Sequence, residues 1–311
     1  MIRYLKHSEI DWQKWDDLVS DCGNVYALSW YLNVVHPNFE ALVEIENGNY
    51  LSLMPLTGKK KFGISYLCQP FFAQQLGVFS REKLTKEKLS EFLQAIPKKY
   101  CFAEFRLNES NAIDDTLQNF ENHRNIVLDL NGAYDAFRAN YHSNTKRNLA
   151  KAENFHLQFV DGVGLDAVIA LFRANRGAEV KVWGDREYDV LRHLAAEAMR
   201  RDAAFVCGVR AQDSDVLLCG ALFLKFNGVV TFLFSGCGPE GKEKQAMTFM
   251  LDRIIQRFAN QAEMLDFEGS ENDNLARFYL GFGGREVGYP SYTFNRLPWL
   301  GKRFLSYWKR R

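Results

Sequence analysis

Residues 205 to 235 constrain this chain more than any other stretch. Three strand-length apolar runs follow one another there: Phe205 to Arg210, Val216 to Phe226 and Val229 to Ser235. Asp213-Ser214-Asp215 and Asn227-Gly228 separate them, and both are turn-forming sequences. The pattern predicts three consecutive antiparallel strands over 203–236. A glycine-bearing loop, Gly236 to Lys244, leads into an amphipathic helix over Ala246 to Ala259. Upstream lie a short strand at Leu157 to Val160 and helices at Leu165 to Asn175 and Asp185 to Arg201. The second of these reads as Asp-capped, with Arg200-Arg201 suiting the C-terminal end of its dipole. Downstream come a strand at Met264 to Phe267, a helix at Asn272 to Phe282 and a last strand at Glu286 to Asn295. The resulting order, β-α-α-β-β-β-α-β-α-β, is an α/β arrangement of a mixed sheet flanked by helices.

The chain has 311 residues, about two domains' worth. Apolar residues are 47% of it, with 25 Phe, so a full core replaces any need for disulfides or a structural metal. The first half is less regular. A capped helix is expected from Asp11 to Ser20, and paired strands at Ala41 to Ile45 and Tyr50 to Pro55 around Asn47-Gly48-Asn49. Further strands are expected at Ile64 to Cys68, Gln75 to Phe79, Cys101 to Leu107 and Asn125 to Leu130. A helix from Leu84 to Ile96 stops at Pro97. Tyr134 to Asn154 reads as one polar helix joining the halves. The expected domains are therefore 1–135, a connector at 136–154, 155–297 and a basic tail at 298–311.

Lys and Arg number 39 against 38 Asp and Glu, a net charge of +1, which excludes a general nucleic-acid coat. Five basic residues and no acid lie in 298–311; without them the chain carries 34 basic and 38 acidic residues. Leu300, Phe304 and Trp308 share one helical stripe in that tail. Two readings fit it: a staple packing back on the first domain, or a peripheral contact with an anionic membrane surface. The N-terminus has no signal-peptide pattern and no stretch approaches the ~20 apolar residues of a membrane span. The six cysteines form no C-x-x-C and have no His at metal spacing. They are expected as reduced thiols in a cytoplasmic protein, with no metal site.

Three segments carry a family likeness. His142-Ser143-Asn144-Thr145-Lys146-Arg147-Asn148-Leu149-Ala150-Lys151-Ala152 resembles the Ser-x-x-Thr-Arg-x-Asn-x-x-x-Ala stretch joining the halves of Fem-type proteins. Leu265-Asp266-Phe267-Glu268-Gly269-Ser270 and Ala276-Arg277-Phe278-Tyr279-Leu280-Gly281-Phe282-Gly283 resemble their Asp-Phe-x-Gly and Phe-x-x-x-Phe-Gly region. The element order resembles the GNAT acyltransferase superfamily. The resemblance implies two tandem GNAT-like domains with a cleft between them, an activated acyl donor such as acetyl-CoA or another acyl-CoA, and an amine acceptor. It also implies direct attack by the amine, with a backbone N–H near Phe234 to Gly236 holding the oxyanion.

The resemblance places a pyrophosphate loop at Gly236-Cys237-Gly238-Pro239-Glu240-Gly241-Lys242-Glu243-Lys244-Gln245-Ala246. There the family usually has Gln or Arg, then x-x-Gly-x-Gly or Ala, whereas Lys244 here stands where the middle Gly belongs. Gly236, Gly238, Gly241, Lys242, Lys244, Gln245 and Ala246 are the candidate phosphate contacts. A solvated surface turn is the alternative. Tyr279, seven residues after Asn272 and four before Gly283, resembles the tyrosine that protonates the departing thiolate in GNAT enzymes. The alternative is a packed helical Tyr with its hydroxyl satisfied. Asp266, Glu268 and Ser270 fall at period two on an expected strand. Two neighbouring carboxylates repel, which raises one pKa toward a base's range, so Glu268 is the candidate base. Pairing with Arg277 or Arg285 is the alternative. Gln69, Gln74 and Gln75 interrupt an apolar stretch and are candidates for lining an acceptor cleft, against an ordinary strand–turn–strand. Arg173, Arg176, Lys181 and Trp183 follow the first helix of the second half, where GNAT members shape the acceptor site. Among these, Arg176 and Trp183, with Asp266, complete the substrate candidates.

Three functions stay open. One is an acyl-CoA-dependent N-acyltransferase acting on a small-molecule or peptide amine. Another is a Fem-type transferase fed by aminoacyl-tRNA in cell-envelope assembly, at the inner face of the membrane. The third is a non-catalytic scaffold with the same fold.

Overall fold

The computed structural model describes residues 1–111, 119–178, 183–212, 214–269 and 271–298. It divides into two compact units, one comprising Met1–His123 and the segment returning at Gly288, the other Arg124–Val287. The expected boundaries at 135, 154 and 297 differ from this division, because the chain enters the second unit partway along a strand and leaves it partway along another.

In the first unit, β1 (Ile2–Leu5) is followed by helices α1 (Trp12–Cys22) and α2 (Ser29–Val35). Strands β2 (Glu40–Glu46) and β3 (Asn49–Leu56) pair antiparallel across the Asn47-Gly48 turn, both in left-handed conformation. Then come β4 (Gly58–Lys61), β5 (Ile64–Cys68), β6 (Phe79–Ser80), α3 (Lys86–Ala95) and β7 (Tyr100–Arg106). Asp11 caps α1 by accepting the Lys14 N–H, and Thr85 caps α3 by accepting that of Lys88. The strand expected over Gln75 to Phe79 shrinks to β6. Gly77, at φ +89°, breaks the extended run, and side-chain amides replace a ladder: Asn111 accepts the Val78 N–H at 2.9 Å while Asn108 donates to the Leu76 and Val78 carbonyls.

Strand β8 (Phe120–Asp129) carries the chain into the second unit. There follow α4 (Tyr134–Asn140), α5 (Ser143–Glu153), β9 (Leu157–Asp161), α6 (Leu165–Ala174) and α7 (Asp185–Arg200). The meander expected from the sequence is present as β10 (Ala204–Ala211), β11 (Leu217–Phe226) and β12 (Val229–Cys237), each pairing antiparallel with the next. A one-turn helix α8 (Pro239–Glu243), α9 (Ala246–Phe258), β13 (Met264–Asp266), α10 (Asp273–Leu280) and β14 (Arg285–Asn295) complete the order. The strands of this unit run β8-β13-β12-β11-β10-β9, with β12 and β13 parallel and the other neighbours antiparallel.

The expected 134–154 helix is two helices. Tyr141 and His142 take extended ψ values between them, and Tyr141 turns inward, buried, with its hydroxyl donating to Asp252. The N-cap of α7 is Gly184 rather than Asp185, because Glu187 reaches back to the Gly184 N–H and Asp185 pairs with Arg173. The loop expected over 236–244 is shorter than foreseen: β12 runs through Cys237 and α8 takes up most of the rest. The core of the unit forms where α9 lays Phe249, Met250, Leu251, Ile254 and Ile255 on a cluster that also holds Val209, Ala221 and Phe223. Ser270, Lys181 and the stripe Leu300, Phe304 and Trp308 lie outside the described residues, as does the basic run of the 298–311 tail.

Candidate active site

The last registered pair between β12 and β13 is Thr231 with Asp266. Beyond it β13 ends, while β12 continues six residues to Cys237 alongside β11 alone. The register against β11 shifts between Leu222 and Phe223, opposite Leu233, so β12 bulges where the two strands part. Gly238 donates its N–H to Leu218 at 2.9 Å, which fixes the alternation along the strand. By that alternation the Ser235 and Cys237 N–H groups face away from β11, toward the edge that β13 has left.

A cleft of about 710 Å³ lies along this region within the second unit. Ser235, Gly236 and Cys237 of β12 line it, with Phe172 on α6, Asn175 and Arg176 just after it, Gly241 and Lys242 on α8, and Gln245, Met247 and Thr248 at the start of α9. Phe232, Leu275, Phe278 and Tyr279 complete the lining. The floor depends on two glycines. A Cβ on Gly236 would run into the backbone of Val168 and Phe172, and one on Gly241 into the Leu218 carbonyl. Their part in the site is therefore close packing that shapes the cleft, and Gly238 has only ordinary contacts there.

Gln245 caps α9 from the left-handed region, φ 58° and ψ 33°, so the helix starts abruptly at Ala246. The first N–H groups of a helix have no intrahelical acceptor, and the dipole adds partial positive charge. Met247 and Thr248 present that end to the cleft beside Lys242, whose ammonium has no ion-pair partner among the described residues. Lys244 stands apart. It pairs with Glu240 at 2.7 Å and lies over the Phe155 ring, outside the lining.

Tyr279 projects from α10 into the lining. Phe267 stacks on its ring at 4.7 Å and Phe232 meets it edge-on at 6.2 Å. Among the described residues its hydroxyl makes no hydrogen bond. Burial pushes its pKa well above the ordinary phenol value; Arg176 opposes this and Glu268 adds to it. Three sequence candidates are thus electrostatic neighbours.

Glu268 does not continue a strand. β13 stops at Asp266, and Glu268 and Gly269 take φ of +49° and +56°. The period-two face expected for Asp266, Glu268 and Ser270 is broken by this turn. Asp266 accepts the Glu268 N–H at 2.9 Å and the Asn125 amide at 2.8 Å on one carboxylate oxygen, and so holds the turn. The Glu268 pKa is pushed up to about 8, and the cause is burial of its carboxyl rather than repulsion from Asp266.

Trp183 packs on Phe172, which lines the cleft, and on Phe234, but does not line the cleft itself. Gln69, Gln74 and Gln75 lie in the first unit and none lines this cleft. Gln69 donates to Ala73 and accepts the Arg106 N–H; Gln75 donates to Gln74 and accepts the Glu109 N–H. These amides organise the chain around Pro70. Phe172, Asn175 and Thr248 were not legible as cleft residues. Ser235 falls within the stretch expected to hold the oxyanion, Cys237 is framed by Gly236 and Gly238, and Phe278 lies in the motif beside Tyr279. Among the described residues no group of three His, Cys, Asp or Glu is placed to hold a metal ion, and no helix is long and apolar enough to cross a membrane.

No family model matches the sequence, and no curated protein matches it significantly. Solved structures do match over nearly the whole chain. A crystal structure of FemX superposes with a TM-score of 0.68 at 12% identity, covering 93% of this chain and 96% of that one. A tandem GNAT protein from the clavulanic acid biosynthesis pathway gives 0.56 at 11% identity, covering 96% and 99%. The C-terminal domain of a putative lysylphosphatidylglycerol synthetase from Agrobacterium fabrum gives 0.50 at 10% identity, covering 91% and 90%. This chain has the α/β fold of the tandem GNAT proteins, with mixed sheets flanked by helices, and resembles the Fem-type proteins among them.

Proposed function

We propose that the protein transfers an acyl group from an activated donor to an amine, by direct attack, in the cleft of the second unit. The observation that carries this reading is the parting of β12 from β13 at Thr231–Asp266, which frees strand N–H groups along a cleft that Tyr279 also lines. The donor's carbonyl oxygen lies against the Ser235 or Cys237 N–H, which holds the developing oxyanion. Glu268 accepts the amine proton, directly or through a water. Tyr279, protonated at neutral pH, gives its proton to the departing group. The start of α9 and Lys242 take a donor phosphate. A volume of about 710 Å³ suits the arm of an acyl thioester.

The favoured donor is an acyl-CoA. The likeness to FemX keeps an aminoacyl ester of tRNA as a second donor, whose leaving group would be a ribose hydroxyl. Calorimetric titration with CoA and acetyl-CoA, followed by a thiol-release assay over a panel of amines, tests the first. Micromolar CoA binding with amine-dependent thiol release supports it. No CoA binding, with transfer from aminoacyl-tRNA, moves the reading to the second. Neither binding nor transfer leaves a scaffold.

A further inference from the structure

Cys219 and Cys237 stand directly opposite each other across β11 and β12. The neighbouring pair, Leu218 and Gly238, is hydrogen-bonded, so the cysteines take the non-hydrogen-bonded position. Cα atoms of such pairs lie about 4.5 Å apart with their side chains on one face. That falls within the ~4.4–6.8 Å at which two cysteines can be bridged without moving the backbone. Both are free thiols, and the Cys237 thiol donates to the Gly238 carbonyl at 3.6 Å. Cys237 lines the cleft, whereas Cys219 is fully buried behind it. Gly241 lets α8 approach the sulfur: a Cβ there would lie 3.0 Å from Cys237 Sγ.

We propose that Cys219 and Cys237 form an oxidative modification site, a dithiol in the cleft wall that a peroxide converts to a cross-strand disulfide. Cys237 is the attacking sulfur, because it alone of the two meets the cleft. The Cys219 thiol opposite and the Lys242 charge hold its pKa below the ordinary thiol value, while burial pushes that of Cys207 up to about 12. The Cys237 thiolate attacks one peroxide oxygen and the O–O bond breaks. The departing hydroxide takes a proton and leaves as water, and Cys237 becomes a sulfenic acid. The Cys219 sulfur then attacks the Cys237 sulfur; the S–O bond breaks, the S–S bond forms, and the hydroxide leaves with the Cys219 proton as a second water. Two thiols lose two electrons and one peroxide gains them. The second step is intramolecular between residues held opposite each other across two strands, which favours it over further oxidation of Cys237.

Treating the reduced full chain with hydrogen peroxide, then alkylating under denaturing conditions and mapping peptides, tests this. The expected result is a linkage between the peptides holding residues 219 and 237, four titratable thiols instead of six, and reversal by dithiothreitol. Recovery of both peptides alkylated, or of Cys237 as sulfinic or sulfonic acid without a linkage, overturns the proposal. In Cys219→Ala, which keeps a small side chain in the core, the sulfenic acid has nothing to resolve it. Dimedone labelling of Cys237 should then exceed that of wild type at least tenfold, and equal labelling also overturns it. Cys237→Ser serves as a second variant: Cys219 should remain a free thiol after peroxide, and its oxidation there would assign the attack to the wrong sulfur.

Discussion

One oxygen of Asp266 holds two groups at once, the Glu268 N–H at 2.9 Å and the Asn125 amide at 2.8 Å. The Asp266 carboxylate therefore holds the turn at the candidate base and leaves that residue's charge state to burial. Asp266→Ala frees the turn. It should lower kcat more than it raises KM for the amine and broaden the pH profile, whereas Asp266→Asn, which keeps an acceptor, should recover most of the rate. Equal loss in both variants would remove the positioning role.

A base must be deprotonated to work, so the rate should climb with pH through an apparent pKa near 8, the value burial gives Glu268. Glu268→Gln should lose this limb along with ~10²–10⁴-fold in rate. Stability runs the other way. The folded-state pKa lies above the ordinary 4.5, so the contribution of Glu268 is fully present below about 4.5 and is lost as pH rises through about 8. Denaturant unfolding at pH 5 and pH 8.5 should show that loss in wild type and a smaller one in Glu268→Gln.

Tyr279→Phe keeps the ring that Phe267 and Phe232 pack against and removes a hydroxyl that bonds to none of the described residues. The melting temperature should hold within a degree or two while turnover falls ~10²–10⁴-fold. Full activity would take Tyr279 out of the chemistry, and a large drop in melting temperature would make it structural.

The two lysines near α9 should separate in a binding measurement. Lys242 meets the cleft, whereas Lys244 is paired to Glu240. Lys242→Ala should weaken CoA binding about tenfold and reduce its salt sensitivity, while Lys244→Ala should stay within about twofold. Equal effects of the two would point to general surface charge.

Asp252 is buried in the core, accepting the Tyr134 hydroxyl at 2.8 Å and that of Tyr141 at 3.2 Å on one oxygen. Burial raises its pKa despite both donors, so its contribution to stability is present in acid and declines as pH rises past the ordinary carboxylate range. Tyr141→Phe should cost about 1–3 kcal/mol, and more at pH 7 than at pH 4, because the lost donor served the charged form best. A cost independent of pH would mean that Asp252 stays neutral.

The meander was legible because strand-length apolar runs meet turn residues there, and Asn227-Gly228 closes its second turn with both residues at positive φ. Tyr279 and Arg176, expected from spacing, position and the family likeness, both line the cleft. Glu268 was proposed for a partly mistaken reason, since period-two reasoning assumes an extended chain and the backbone turns left-handed at that residue. The three glutamines lie outside this cleft, and an amide in a sequence does not announce whether a backbone group nearby will claim it. Asn175 and Thr248 carried no signal, as their place depends on where two helices far apart in the chain meet the parted strands.

Gly236 has a consequence for anyone redesigning this cleft. Because the backbone of α6 occupies the volume a Cβ would fill, any larger residue at 236 pushes that helix away and carries Phe172, Asn175 and Arg176 with it. One backbone position thus sets the placement of three side chains at a stroke. New substrate preferences are better sought at Met247 and Leu275, whose side chains can change size while that contact stays intact.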